Sequence, residues 1–193
     1  MCSATWLCCS NMLPLRGEQQ ATDHNPAKAY ILQFTLWMRK TIMGKYFGTD
    51  GFRGEAGITL TADHAYKVGR FLGWYYNALR ERNGDTNPAR IVIGKDTRRS
   101  SYMFEYSLVA GLTASGADAY LLHVTTTPSV AYIARVDDFD CGIMISASHN
   151  PYYDNGIKLI DCYGEKMPEE ILLLVEDYID GKLHVFDKDW TEL

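Results

Sequence analysis

The sequence lacks the features that would assign it to a membrane or a nucleic acid. No run of apolar residues approaches the roughly 18 that a membrane-spanning helix needs. The apolar residues around Trp6 and Leu7 are not preceded by the basic residues of a secretory signal. The formal net charge is −5, which argues against nucleic acid or an anionic membrane surface as the main partner. We therefore expect a cytoplasmic protein that binds neither.

The sequence also lacks a cysteine framework. Its five cysteines are an odd number, and three of them crowd the N-terminus, far from Cys141 and Cys162. No CxxC pair and no Cys/His spacing typical of zinc is present. Reduced thiols in the cytosol are favoured over disulfides.

The 193 residues are enough for one domain with a real core but too few for two large ones. Residues 1–42 lack sustained hydrophobic periodicity, and a regular pattern begins only at Met43. We interpret residues 1–42 as an extension, either disordered or belonging to a misassigned start. The folded domain is predicted to span residues 43–182.

From Met43 onward, predicted strands alternate with predicted helices, which indicates an α/β fold. We expect a three-layer α/β/α domain with a mostly parallel mixed sheet. The segment after Ile145 is predicted to return antiparallel, because too few residues precede Ile157 for a crossover helix. Ser100 or Ser101 is predicted to cap one helix, and Thr61 or Asp63 another.

Three polar loops, at residues 48–54, 94–101 and 146–155, follow predicted strands, and ligands bind at such strand ends in open α/β sheets. In the first loop, three glycines surround Thr49, Asp50 and Arg53; glycines allow backbone N–H groups to approach an anion, and arginine adds a forked donor. A plain turn explains the glycines equally simply, and their spacing is neither GxGxxG nor Walker A.

The second loop carries Lys95, Arg98 and Arg99 before a helix N-terminus, a combination that favours anions. An incidental basic cluster on a solvated loop is the alternative. Between a predicted helix and strand, Asp137, Asp138 and Asp140 are interpreted as solubilising loop residues and caps rather than metal ligands.

The third loop follows the buried-strand pattern of Gly142–Ile145 and contains Ser148 and His149. A Ser/His/Asp hydrolase is disfavoured, because neighbours in an extended chain point apart and no GxSxG elbow is present. An exposed Ser148, with Lys158 after the Asn155-Gly156 turn, fits a donor or acceptor of a phosphoryl group better. Taken alone, Lys158 is also typical of a strand residue that faces solvent.

These loops resemble the first domain of the α-D-phosphohexomutases. Ser146-Ala147-Ser148-His149-Asn150-Pro151 resembles the family's phosphoserine loop, and Asn155-Gly156-Ile157-Lys158 resembles the segment after it. The stretches Tyr46–Gly54 and Gly94–Arg98 are most similar to the bacterial phosphoglucosamine mutase branch. Residues 1–42 have no counterpart in the family.

The resemblance implies an isomerase in which a phosphorylated Ser148 gives its phosphoryl group to a hexosamine phosphate and takes another back. Arg53 and His149 would assist around the phosphoserine, and Lys158 would transfer a proton. The phosphoryl group on Ser148 would also bind Mg²⁺. The residues expected near the phosphate or substrate are Thr49, Asp50, Gly51, Arg98 and Asn150.

Family enzymes have four domains, and nothing before Leu193 resembles the aspartate-rich magnesium loop or the distal phosphate-binding loop of the other three. We therefore expect residues 183–193 to be a truncated linker towards a missing second domain, and this chain to have little activity alone. A homo-oligomer remains open for the full-length enzyme. The alternatives are the first domain of a phosphoglucomutase/phosphomannomutase and a non-catalytic anion-binding module.

Overall fold

A computed structural model describes residues 44–186 of the chain. The predicted extension at residues 1–42 lies outside the described residues, and so do residues 187–193 of the predicted linker. Within residues 44–186, no helix combines the length and the apolar character that crossing a membrane requires.

The described residues form six strands and four helices, which alternate except where two strands follow one another, first at the start of the domain and again before the last helix. The strands are β1 (Phe47–Gly48), β2 (Gly51–Glu55), β3 (Arg90–Lys95), β4 (Asp118–Val124), β5 (Cys141–Ile145) and β6 (Asp154–Asp161). The helices are α1 (Ala62–Arg82), α2 (Ser100–Ala114), α3 (Thr127–Val136) and α4 (Glu169–Ile179).

The strands form one mixed sheet in the order β1-β2-β6-β5-β3-β4. β3 pairs in parallel with both β4 and β5, whereas β6 pairs antiparallel with β5 and with β2. The predicted α/β fold and the antiparallel return after Ile145 are thus confirmed. A second reversed strand, the two-residue β1, pairs antiparallel with β2. The sequence predicts a short strand at Lys45-Tyr46-Phe47, and β1 overlaps that prediction only at Phe47.

Both faces of the sheet are covered, which confirms the three-layer arrangement. Consecutive residues of a strand point to opposite faces, so Ile91 and Ile93 pack with the apolar faces of α1, α2 and α4 in the larger core. Val92 joins Met144 and Ile160 against α3 in the smaller one. The smaller core lies under a single helix.

The region predicted as a polar loop at residues 48–54 is largely strand. Only Thr49 and Asp50 form the turn between β1 and β2, and β2 begins at Gly51. The prediction was wrong because a strand built from GFRGE carries too few apolar residues to show alternation.

Glu176 of α4 fastens this hairpin to the rest of the domain. Its buried carboxylate accepts hydrogen bonds from the backbone N–H groups of Lys45, Tyr46 and Phe47, at 2.8, 2.8 and 2.7 Å. Three successive amides around one carboxylate hold the segment just before the turn. An oxygen of Glu176 would lie 2.5 Å from a Cβ on Gly44, so the approach needs glycine there.

Two predictions about the loops before α2 and β5 require correction. The N-cap of α2 is Arg99, without a side-chain cap bond, because the hydroxyls of both serines serve other partners. Asp140 is not a solubilising residue: it is buried and accepts hydrogen bonds from Arg80 Nε (2.8 Å) and Arg90 N (2.8 Å). It joins α1 to the start of β3, at the end of the sheet remote from Ser148.

α1 begins at the predicted cap, Thr61, through a reciprocal capping box. The Thr61 hydroxyl accepts from His64 N, and His64 Nδ1 accepts from Thr61 N at 3.2 Å. This second bond requires an unprotonated Nδ1. Burial lowers the pKa of His64, in the same direction.

We predict that stability falls as the pH drops from 7 to 5, partly through His64. The folded state keeps His64 neutral, whereas the unfolded chain takes up a proton near its ordinary pKa of about 6.5. The unfolded state therefore binds more protons as the pH falls, and stability is lost. His64→Gln retains an acceptor at the third helical position and does not titrate.

Urea unfolding at several pH values measures the effect. The pH slope of His64→Gln should be shallower than that of the wild type, and His184→Gln, which changes an exposed histidine, should retain the wild-type slope. Equal slopes for all three proteins would contradict the assignment.

Candidate active site

Ser148 lies at the exposed apex of the loop between β5 and β6, residues 146–153, which we call the serine loop. Its backbone adopts φ = +55°, in the left-handed region, which costs a non-glycine residue about 1–2 kcal/mol. Its N–H donates to Ser146 Oγ at 3.1 Å, and Asn150 N donates to Ala147 O at 3.1 Å. The loop is therefore a built turn that directs the Ser148 side chain outward.

His149 lies beside Ser148. Its Nδ1 is 3.5 Å from Ser148 Oγ, at the limit of a hydrogen bond. The expectation that neighbouring side chains point apart fails here, because the chain at Ser148 is not extended. The other histidines do not complete a triad in the described part of the chain: His64 caps α1, and His123 Nδ1 lies 3.8 Å from Glu105.

Arg53 projects from β2 and connects the hairpin to the serine loop. Its Nη1 donates to Asn150 Oδ1 at 3.3 Å, and its Nη2 lies 3.2 Å from Asp50 Oδ2. Its Nε is buried and has no hydrogen-bond partner among residues 44–186. Asn150 also bonds to the start of β6, because its Nδ2 donates to Asp154 Oδ2 at 3.0 Å. One buried arginine donor thus has no partner among the described residues.

The side chain of Arg98 is directed into the serine loop rather than towards solvent. Nε donates to Asp96 Oδ2 at 2.9 Å, and Nη2 donates to the carbonyls of Ser148 (3.1 Å) and Asn150 (2.8 Å). Nη1 donates to the carbonyls of Pro151 and Asp154. A guanidinium has five N–H donors, so these five bonds use all of them.

The predicted basic cluster of Lys95, Arg98 and Arg99 is not a cluster in space. Lys95 is buried, forms an ion pair with the equally buried Glu105, and lies 3.4 Å from the centre of the Tyr102 ring. Arg99 is exposed. Lys95 lies in the core, Arg98 in the serine loop and Arg99 on the surface. Both predictions for this segment, an anion-binding cluster and a basic cluster on a solvated loop, are therefore wrong.

Lys158 lies in a cleft of about 190 Å³ on the α3 face of the sheet. Thr49, Asp50 and Gly51 line the same cleft, with Thr127 at the start of α3. Gly51 has φ = +95°, and a Cβ there would lie 3.0 Å from Lys158 Cγ and 2.5 Å from Ile157 O. Glycine is thus required for the turn and for the space that the stem of Lys158 occupies.

The predicted site residues therefore form two neighbouring groups. The first is the serine loop with its arginines, and the second is the Lys158 cleft. Asp50 belongs to both, because it lines the cleft and pairs with Arg53. Among residues 44–186, no group of three or more histidine, cysteine or acidic side chains could hold a metal ion.

Two further residues, Asp96 and Asn155, support the site and were missed from the sequence. Asp96 Oδ1 accepts from Arg98 N (3.0 Å) and from the Ser101 hydroxyl (2.8 Å). Asn155, fully buried in β6, donates from Nδ2 to the hydroxyls of Ser100 (2.9 Å) and Ser101 (3.0 Å). A fully polar residue inside an apolar strand was the signal available for Asn155.

Comparison with known proteins identifies this arrangement. The family model "Phosphoglucomutase/phosphomannomutase, alpha/beta/alpha domain I" matches residues 44–184. The chain belongs to the phosphoglucomutase/phosphomannomutase family. The match covers every strand and helix described above, including the serine loop and the Lys158 cleft.

Curated members of the family are similar in sequence over the same region. A phosphoglucosamine mutase of Lachnospira eligens is 75% identical over 141 residues, which are 73% of this chain and 30% of that protein. One from Lachnoclostridium phytofermentans is 70% identical over 141 residues, with the same shares of 73% and 30%. The chain therefore spans about a third of the length of these relatives.

A solved structure from the family has the same fold. It is the crystal structure of a phosphoglucomutase/phosphomannomutase family protein from Burkholderia thailandensis, with a TM-score of 0.59 and 26% sequence identity. The similarity covers 74% of this chain and 31% of that one. Sequence and fold thus agree on the first domain of the family.

We predict that glycine stabilises position 148 relative to alanine. Because φ is +55° there, Ser148→Gly should be more stable than Ser148→Ala by about 1 kcal/mol, since only the alanine variant retains the Cβ penalty. Both variants should retain the fold, because an exposed loop hydroxyl contributes little to a core.

Urea unfolding of the purified variants measures this order. Ser107 in the interior of α2 is the matched control; there the order should reverse, because glycine destabilises a helix by about 0.5–1 kcal/mol relative to alanine. An alanine variant at 148 as stable as the glycine variant would exclude the left-handed conformation, and an unfolded one would mean that the residue supports the core.

Proposed function

We propose that the chain is the phosphoserine-bearing first domain of a cytoplasmic phosphoglucosamine mutase. The observation that carries the proposal is the placement of Ser148: an exposed hydroxyl, at the apex of a turn held from inside by Arg98, next to His149. The 75% identity to a phosphoglucosamine mutase over the domain supports the choice of hexosamine within the family.

The proposed reaction interconverts glucosamine 6-phosphate and glucosamine 1-phosphate through a bisphosphate. The P–O bond to Ser148 Oγ breaks while a P–O bond to the sugar hydroxyl forms, and the proton of that hydroxyl passes to a base. The bisphosphate then reorients, and its other phosphoryl group moves to Ser148 Oγ by the reverse step. The serine is phosphorylated again at the end, so no phosphoryl group is consumed.

Each neighbouring side chain has a role compatible with its position. Arg53 places its guanidinium against Asn150 of the serine loop and is suited to offset the charge of a phosphoryl group. His149 lies close enough to Ser148 Oγ to hold or move a proton there. Lys158 faces the neighbouring cleft, where an amine can exchange a proton with a sugar hydroxyl.

Magnesium would supply charge neutralisation for the transferring phosphoryl group. The residues present fit this ion only in part: a phosphoryl oxygen on Ser148 is a suitable hard donor, but no carboxylate cluster accompanies it among residues 44–186. Further ligands would have to come from outside the described residues, so no step above depends on the ion.

The chain spans about 30% of its curated relatives. The proposal assigns most of the sugar recognition, but not the transfer of a phosphoryl group to Ser148, to the remaining two thirds. Another hexose phosphate within the family is the alternative substrate. The turnover of the isolated chain is accordingly expected to be negligible.

We predict that Ser148 takes a phosphoryl group. Mass spectrometry of the intact purified chain, before and after incubation with glucosamine 1,6-bisphosphate, should show a species heavier by about 80 Da, one phosphoryl group, and peptide mapping should place it on Ser148. Ser148→Ala should not show this species, and Ser107→Ala should.

Two outcomes would contradict the proposal. A wild-type chain that takes no phosphoryl group would favour a non-catalytic anion-binding module. Steady conversion of glucosamine 6-phosphate by the purified chain, abolished by Ser148→Ala, would contradict the expectation that this domain needs the rest of the enzyme.

A further inference from the structure

The backbone carbonyls of Ser148, Asn150, Pro151 and Asp154 all converge on the guanidinium of Arg98. Carbonyl oxygens repel one another when they are brought together without a donor or a cation between them. The loop therefore needs several donors inside it to hold this shape, and donors on a cation bind the carbonyls most strongly.

Arg98 meets that requirement because its five donors lie in one plane and point in different directions. Four of them are directed to the loop, and the fifth, on Nε, is held by Asp96 Oδ2 at 2.9 Å. The Arg98 side chain is only 12% exposed. No donor remains for a phosphate or a sugar.

Asp96 in turn is fixed to the sheet. Its N–H donates to Ile145 O, the last residue of β5, at 2.9 Å, and its Oδ1 accepts from the Ser101 hydroxyl at 2.8 Å. A continuous series of hydrogen bonds thus runs from β5 through Asp96 and Arg98 to the carbonyl of Ser148.

We propose that Arg98 is the positioning residue of Ser148: it holds the serine loop from inside, fixes the left-handed conformation at Ser148, and so sets the direction of the hydroxyl without touching the substrate. The part of this inference that concerns phosphoryl transfer rests on the function proposed above. The part that concerns the loop does not.

Arg98→Lys is the sharpest variant. It retains the positive charge and the long stem, but its three donors lie on one nitrogen and cannot reach four carbonyls and Asp96 together. Arg99→Ala is the matched control, because Arg99 is the adjacent arginine and is exposed. Arg98→Ala removes the charge as well.

The first measurement is amide hydrogen exchange and the ¹³C carbonyl shift of Ser148 in the whole chain. In Arg98→Lys and Arg98→Ala, exchange of the amides of Ser148, Asn150 and Asp154, which donate hydrogen bonds within the loop, should rise at least about tenfold. This is the factor expected for losing one charge-assisted hydrogen bond, and the Ser148 carbonyl signal should move. Exchange in α1 and β3 should stay as in the wild type. Arg99→Ala should match the wild type throughout.

Unchanged loop exchange and an unchanged Ser148 carbonyl signal in a folded Arg98 variant would overturn the proposal. If Arg98→Ala does not fold, Arg98→Lys and Arg98→Gln decide. A further outcome is that every Arg98 variant loses protection from exchange in α1 and β3 as well as in the loop. Arg98 then stabilises the whole domain, and the positioning role is likewise overturned.

The second measurement is the rate of phosphoryl incorporation at Ser148 from glucosamine 1,6-bisphosphate. In Arg98→Lys the rate at saturating bisphosphate should fall at least about tenfold, while the half-saturating concentration stays within about twofold, since Arg98 makes no contact with substrate. A raised half-saturating concentration at an unchanged rate would assign Arg98 to binding and overturn the proposal. If the wild type takes no phosphoryl group, the proposed function fails. The hydrogen-exchange data then decide whether Arg98 holds the serine loop.

Discussion

The architecture depends on one reversal of the chain, between the end of β5 at Ile145 and the start of β6 at Asp154. So short a connection cannot contain a crossover helix, so β6 returns beside β5 in the antiparallel direction. β6 then lies inside the sheet and offers its second edge to β2. A single turn therefore creates the loop of Ser148, brings in the strand of Arg53, and supplies the strand of Lys158.

The energetic balance at this turn favours a strained but single conformation. A left-handed serine costs about 1–2 kcal/mol, whereas a hydrogen bond from a charged donor contributes about 1.5–3 kcal/mol. Arg98 makes one such bond to the carbonyl of Ser148 and one to that of Asn150, and these two bonds suffice to offset the cost.

The buried ion pair of Lys95 and Glu105 has a different role. Burying two charges contributes little stability, but the pair joins the end of β3, next to Asp96, to α2.

Sequence patterns were sufficient to predict elements that show hydrophobic periodicity or have clear turn and cap residues at their ends. The alternation of strands and helices, the cap at Thr61 and the exposed loop around Ser148 could all be predicted. The strand β2 could not, because it is short and two of its five residues are glycine. The destinations of Lys95, Arg98 and Arg99 could not either, since three neighbouring basic residues have the same local sequence signature whether they enter the core, a loop or solvent.

The carboxylate of Glu176 has a consequence for how the domain is made. It binds backbone groups 129 to 131 positions earlier in the chain, and β2 pairs with Ile157, also far along the sequence. During synthesis the hairpin that carries Arg53 leaves the ribosome long before its anchors do. Contacts so distant in sequence form slowly, so the first strands of residues 44–186 are among the last to be secured. Until β6 emerges the hairpin has no strand to pair with, and until α4 emerges it lacks the carboxylate of Glu176.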